Sequence, residues 1–264
     1  MLPDFLIIGT QRGGTTSLYH YLLDSPYIEP AMVKEVHFFD KKFGKGPLWY
    51  QAHFPTLVHK YTQHLLHGSS CLAGEASAYY LFHPHVARRV KAVIPQTKII
   101  ILLRNPVNRA YSQYWLEVEL DREPLSFEEA LEREEERINR EAEKVLADEN
   151  YVSLNHSRYS YKARGRYVEQ LPAWLSFFPQ EQILILKSED LYTNTEAVVG
   201  TTLKFLGLPG LAPHQKNRPF EVKNYVKQAH PKINPATKER LAAYFAPYNE
   251  RLYQELGRDF GWEK

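Results

Sequence analysis

Near the start of the chain, Gly9-Thr10-Gln11-Arg12-Gly13-Gly14-Thr15-Thr16 has the frame G-x-x-x-x-G-K-[ST] of a phosphate-binding loop. Such a loop points successive backbone N–H groups at a phosphate, and the dipole of the helix that follows adds to their pull. The lysine of the frame is replaced by Thr15, and the cation stands earlier, at Arg12. A nucleotide triphosphatase needs that lysine on its β- and γ-phosphates, and an aspartate at a strand end for Mg²⁺. Neither long apolar run of this chain is followed by such an aspartate: Arg104 follows one, and Lys187 and Ser188 follow the other. The loop therefore reads as built for a phosphate-bearing donor handled without a metal.

These residues need elements to position them. Phe5-Leu6-Ile7-Ile8 reads as a buried strand ended by Gly9. Beyond the loop, Leu18, Tyr21 and Leu22 recur at helical spacing until Ser25-Pro26 stops the helix. Ile99-Ile100-Ile101-Leu102-Leu103 and Ile183-Leu184-Ile185-Leu186 are continuous apolar runs, as expected of parallel strands covered on both faces. Helical patterns lie between them, over Val86 to Ile94 and Tyr167 to Phe178. The alternation predicts an α/β fold: three α/β/α layers with a central, mostly parallel sheet, and a ligand at the carboxyl ends of its strands.

The length of 264 residues, with no repeat and no Gly/Ser- or Pro-rich linker, suits one domain over 1–264. Hydrophobic residues at 44% and charged residues at 24% exclude a disordered chain. The net charge of +2 opposes a general nucleic-acid binder. That average hides a division. The stretch 117–149 holds 14 acidic and 5 basic residues, net −9, which leaves +11 on the rest, as suits a small, strongly anionic ligand. Within it, Ser126-Phe127-Glu128-Glu129 matches a capping box, so a long polar helix is expected, as a solvated face or an acidic lid at about 117–157. A lone cysteine, Cys71, and the lack of a signal-like or membrane-spanning apolar run predict a soluble, cytoplasmic protein without a cysteine-built metal site.

With these residues in view, the chain resembles the sulfotransferases that use PAPS (3′-phosphoadenosine 5′-phosphosulfate). Thr10-Gln-Arg-Gly-Gly-Thr-Thr-Ser-Leu18 is similar to their 5′-phosphosulfate loop, which implies donor contacts from Thr10, Gln11, Arg12, Gly13, Gly14, Thr15, Thr16 and Ser17. Arg104-Asn105-Pro106 with Arg109-Ala-Tyr-Ser112 is similar to their 3′-phosphate site, where an arginine at a strand end and a serine on the next helix bind the phosphate. Lys34-Glu35-Val36-His37-Phe38-Phe39-Asp40 resembles the segment that carries the general base in the heparan-type carbohydrate branch, which implies Glu35 as base. His37 is the rival, because the cytosolic small-molecule branch uses a histidine; in an extended segment both side chains would point the same way. Arg12 and the loop amides would stabilise charge on the leaving oxygen, and Lys34 would contact donor or acceptor.

Gly74-Glu75-Ala76-Ser77-Ala78-Tyr79 resembles the family's E-K-[ST]-P-x-Y segment, but Ala76 stands where the carbohydrate enzymes have a lysine that reaches the active site. That departure counts against a polyanionic sugar as acceptor. Glu75 is left to position the acceptor or to pair with Arg12. Tyr225 to Pro231 resembles the loop that closes over the nucleotide, with Lys227 as a displaced counterpart of its basic residue and His230 as a loop anchor. The resemblance thus implies transfer of the sulfuryl group of PAPS, with PAP as product and no metal, to a hydroxyl of a saccharide, a glycolipid or a carrier-tethered hydroxyacyl chain. The alternatives are a P-loop kinase or nucleotide triphosphatase, and a non-catalytic nucleotide-binding module.

Overall fold

The computed structural model describes residues 1–67, 71–210 and 230–263. In chain order its elements are β1 Phe5–Gly9, α1 Thr15–Leu23, β2 Ile28–Pro30, α2 Phe38–Lys41, α3 Gly46–Gln51, α4 Leu57–His67, β3 Leu72–Ala76, α5 Val86–Val93 and β4 Lys98–Leu103. There follow α6 Pro106–Glu119, α7 Phe127–Glu132, α8 Glu134–Ala147, α9 Leu154–Arg158, α10 Tyr167–Phe177, β5 Ile183–Lys187, α11 Ser188–Thr193, α12 Thr195–Leu206 and α13 Pro235–Leu256. The chain divides into two compact units, one from 1–103 and 173–223, the other from 104–172 and 224–264.

The first unit holds the sheet. Five strands lie in the order β2-β3-β1-β4-β5, and every pairing is parallel. The two strongest apolar runs take the centre: every residue of β1, and Ile99 to Leu103 of β4, is buried. Alternate strand residues Phe5, Ile7, Ile100 and Leu102 pack on one face against Leu18 and Leu22 of α1 and Val199 and Leu203 of α12. Each such side chain contributes roughly 1.5–3 kcal/mol on burial. The expected α/β fold with a parallel sheet is the observed one. Sequence periodicity missed two strands: β2, a three-residue edge strand that ends on Pro30, and β3, Leu72–Ala76. From β1 the chain turns first to the β3 side and later to the β4 side. The end of β1 is thus a topological switch point, where α/β sheets bind ligands.

The second unit is helical. Val107, Ala110 and Tyr114 of α6 pack with Phe127, Ala130 and Leu131 of α7, Tyr161, and Leu241 and Phe245 of α13. The capping box forms, with Ser126 and Glu129 each bonded to the other's backbone N–H. Two expectations for the acidic segment change. The long helix breaks at Arg133 into α7 and α8, and three of its carboxylates are internal rather than solvated. Glu117, Glu123 and Glu134 are all buried. Glu123 takes a paired contact from Arg137 (2.6 and 3.0 Å) and the Tyr161 hydroxyl (2.7 Å). Glu134 accepts the backbone N–H groups of Lys162 (2.6 Å) and Ala163 (2.8 Å). Burial pushes its carboxyl up to about 6 even though those two amides favour the charged form. Among the described residues no helix is long and apolar enough to cross a membrane.

Candidate active site

The loop after β1 is tied down by its own backbone. The Thr10 N–H donates to the Leu102 carbonyl of β4 (2.7 Å), and the Gly13 N–H donates to the Thr10 carbonyl (2.9 Å). A Cβ on Gly13 would lie 2.9 Å from the Thr10 oxygen and 3.0 Å from the Leu102 oxygen, so the turn closes only on glycine. Gly14 caps α1 with a left-handed φ of +90° and offers no side-chain acceptor to the first-turn amides of the helix. These amides are the groups that an anion can take up. Arg12 is also left-handed, at φ +65°, a conformation that costs a non-glycine residue about 1–2 kcal/mol. Thr10, Gly13 and Thr15 are buried, whereas Gln11, Arg12, Gly14, Thr16 and Ser17 are half-buried at the surface of the loop.

The segment after β2 brings four charged side chains together. Lys34 Nζ lies 2.6 Å from Glu35 Oε1 and donates to Thr16 Oγ1 at 2.8 Å, so it joins the phosphate loop to the Glu35 carboxylate. His37 Nε2 is 3.2 Å from Glu35 Oε2, and His37 Nδ1 is 2.7 Å from Asp40 Oδ2. Glu35 is 38% exposed and Asp40 is 0% exposed. The expectation of an extended segment is corrected: His37 sits at a left-handed φ of +56° and caps α2. Glu35 and His37 converge through this turn, not by strand alternation.

The environment sets the protons. Burial disfavours the Glu35 anion, but the hydrogen bond from His37 and the Lys34 ammonium outweigh it and hold the carboxyl at about 2. Burial likewise disfavours the His37 imidazolium, but bonds to Asp40 and Glu35 raise it to about 9. At neutral pH His37 is thus an imidazolium beside the ionised Glu35, with both imidazole nitrogens donating.

Glu75 lies directly beneath. It is 0% exposed and accepts from the Val36 N–H (2.9 Å), Ser77 Oγ (2.7 Å), Tyr50 Oη (2.7 Å) and Tyr80 Oη (3.0 Å). This corrects both roles expected of it. A carboxylate out of solvent and occupied by four neutral donors holds its neighbours in place; it neither meets an acceptor nor pairs with Arg12. Ala76 is buried and its N–H donates to the Lys34 carbonyl (3.0 Å).

In the second unit, Arg104 and Ser112 are both half-buried, just before α6 and at the end of its second turn. The Arg104 carbonyl accepts from the Tyr167 hydroxyl (2.8 Å). Asn105 caps the helix by accepting from the Val107 and Asn108 N–H groups. Arg109 of the same motif is an internal brace, buried against Gln113 and the Tyr161 carbonyl. His230 stacks on Trp115 and pairs with Glu119 (3.1 Å), as an anchor would. Lys227 lies outside the described residues. Sequence reasoning quoted Asp40 but gave it no role, although its spacing of three from His37 is one helical turn. It missed Tyr50, and it gave no role to Tyr80, on which the tyrosine of the E-K-[ST]-P-x-Y pattern falls when counted from Glu75; only the fold brings both hydroxyls to the Glu75 carboxylate.

Comparison with known proteins identifies relatives of the whole chain. A family profile described as "Sulfotransferase domain" matches residues 2–244. A membrane-associated sulfotransferase, kil1 of Dictyostelium discoideum, is 30% identical over 99% of this chain and 67% of its own length. Heparan sulfate glucosamine 3-O-sulfotransferase 6 of Mus musculus is 29% identical over 99% of this chain and 74% of its own. Among solved structures, a sulfotransferase from Alicyclobacillus acidocaldarius superposes with a TM-score of 0.74 at 30% identity, covering all of both chains.

Proposed function

The chain belongs to the sulfotransferase domain family, whose donor is PAPS. From that premise we propose that Glu35 is the general base of a transfer to an acceptor hydroxyl. The hydroxyl is that of a saccharide or glycolipid, or of a hydroxyacyl chain tethered to a carrier. The observation that carries this reading is geometric: His37 lies between two carboxylates, Glu35 at 3.2 Å and Asp40 at 2.7 Å, which favour its charged form and leave it no lone pair to offer, whereas Glu35 is held ionised by His37 and Lys34.

The donor, when bound, supplies the sulfuryl group; the rest falls to the chain's own residues. The amides of Gly13 to Ser17 and the Arg12 guanidinium hold the 5′-phosphosulfate and favour the charge that builds on the leaving phosphate oxygen. Arg104 and Ser112 hold the 3′-phosphate. Lys34 spans Thr16 and Glu35 and keeps the base beside the loop. Glu35 takes the hydroxyl proton. A carboxylate held near 2 is a weak base, so it accepts that proton only as the attacking oxygen bonds to sulfur and becomes acidic. His37, fixed by Asp40, orients the carboxylate. The buried Ala76, where a lysine would add positive charge, favours an acceptor that is not a polyanion. The single, buried, unpaired Cys71 suits a cytoplasmic setting.

A transfer screen with labelled PAPS across sugars, glycolipids, phenols and carrier-bound hydroxyacyl chains tests the reading. Glu35→Ala is expected to abolish turnover and retain donor binding, whereas Arg104→Ala weakens donor binding first. A fully active Glu35→Ala beside an inactive His37→Ala would refute the choice of base.

A further inference from the structure

The turn that gathers Glu35, His37 and Asp40 is not stable by itself. His37 occupies the left-handed region without being glycine, and such residues persist only where surrounding bonds over-determine them. α2 begins at that turn with no side-chain cap from His37, so its first amides need an outside acceptor. The acceptors come from the end of β3 and the turn beyond it, about forty residues along the chain. Tyr80 Oη accepts from the Phe38 N–H (2.9 Å) and the Phe39 N–H (3.3 Å), and donates to Glu75 Oε1. Ser77 Oγ accepts from the His37 N–H (3.4 Å) and donates to Glu75 Oε2. Glu75 itself accepts from the Val36 N–H. Every backbone N–H from Val36 to Phe39 is therefore held by one buried network centred on a carboxylate with neutral donors.

We propose that Tyr80 is a positioning residue: through the amides of Phe38 and Phe39, and with Glu75 behind it, it fixes the turn on which Glu35, His37 and Asp40 meet. This rests on the reading of that trio as the reacting site. The hydrogen bonds of the Tyr80 hydroxyl go to the Phe38 and Phe39 amides and to Glu75, and none goes to the Glu35, His37 or Asp40 side chain. Its hydroxyl works on the backbone, as an N-cap does, but from a distant part of the sequence. A shift of about 1 Å in such a constellation costs on the order of a hundredfold in rate.

The test is Tyr80→Phe, which removes one oxygen and keeps the ring against Phe39. The His37 ring is followed by NMR through a pH titration, beside steady-state kinetics. Burial lowers the His37 midpoint; of the charged groups that face it, Asp40 and Glu35 raise it and Lys41 opposes them. Tyr80→Phe is expected to lower the midpoint by about one unit or more as those contacts loosen. It is expected to lower kcat about tenfold to a hundredfold, with KM for the donor within about twofold. Tyr50→Phe removes a donor from the same carboxylate and leaves every amide contact in place, so its effect on the midpoint should be the smaller. An unchanged His37 midpoint in Tyr80→Phe, or equal shifts in the two variants, overturns the proposal. If Tyr80→Phe fails to fold, Ser77→Ala, which frees the His37 N–H and removes one donor from Glu75, must shift the midpoint in the same direction and by more than Tyr50→Phe, which removes a Glu75 donor alone; no shift there overturns the proposal as well. The titration needs no substrate, so a failure of the sulfotransfer reading would appear in the transfer screen alone and leave this result standing.

Discussion

The pH dependence of kcat/KM separates the two candidate bases. In the free protein Glu35 is held at about 2 and His37 at about 9. Between those values the competent form, if Glu35 is the base, is the one already present: carboxylate anion beside imidazolium. The rate should then be flat from pH 6 to 8 and fall above about 9, as the imidazolium loses its proton and with it the bond that orients Glu35. If His37 were the base, only its neutral form would act. That form is about one part in a thousand at pH 6 and about one in ten at pH 8, so kcat/KM would climb about a hundredfold across the same two units. The assay is transfer from labelled PAPS at substrate concentrations well below KM, in buffers of constant ionic strength. Asp40→Asn supplies the control. It keeps the shape of a 0%-exposed side chain 2.7 Å from His37 Nδ1 and removes its charge, so the alkaline limb should move down by about 1–3 units. A steep climb from pH 6 to 8 in the wild type, or an alkaline limb that ignores Asp40→Asn, would refute the reasoning.

Two further outcomes follow from the geometry. Gly13→Ala places a Cβ against two backbone oxygens; isothermal titration with PAP should show at least a tenfold loss of affinity, and the strain should cost about 1–3 kcal/mol in urea unfolding. Glu134, pushed up to about 6 in the fold against 4.5 as its ordinary value, binds its proton more tightly folded than unfolded. Its stabilising effect is complete below about pH 4.5 and is lost as pH rises through about 6, a fall of about 2 kcal/mol in unfolding free energy. Glu134→Gln, compared with wild type by urea unfolding at pH 4.5 and 6.5, should lack that fall, although it is less stable throughout because one of the two amides loses its acceptor.

By itself the sequence determined what local pattern can encode. The apolar runs at Phe5–Ile8, Ile99–Leu103 and Ile183–Leu186 have no solvent-facing side and must become covered parallel strands. The glycines and the missing lysine of the loop set the expectation of a phosphate-binding loop without a metal, and the capping box at Ser126 needs only its own four residues. Lys34, Glu35 and His37 were legible because they stand together in one short motif. What lies between distant segments was not legible. A hydrogen bond between Phe38 and Tyr80, or between Val36 and Glu75, leaves no periodicity, because its partners are some forty residues apart and share no element. The same holds for charge. A count over 117–149 shows an acidic stretch, but only packing decides that Glu123 and Glu134 go inside, where bonds to Arg137 and to the amides of Lys162 and Ala163 offset the loss of water. For His37 the sequence supplies an imidazole near its ordinary value. Tertiary structure puts a carboxylate on each nitrogen, and that raises it to about 9 against the cost of burial.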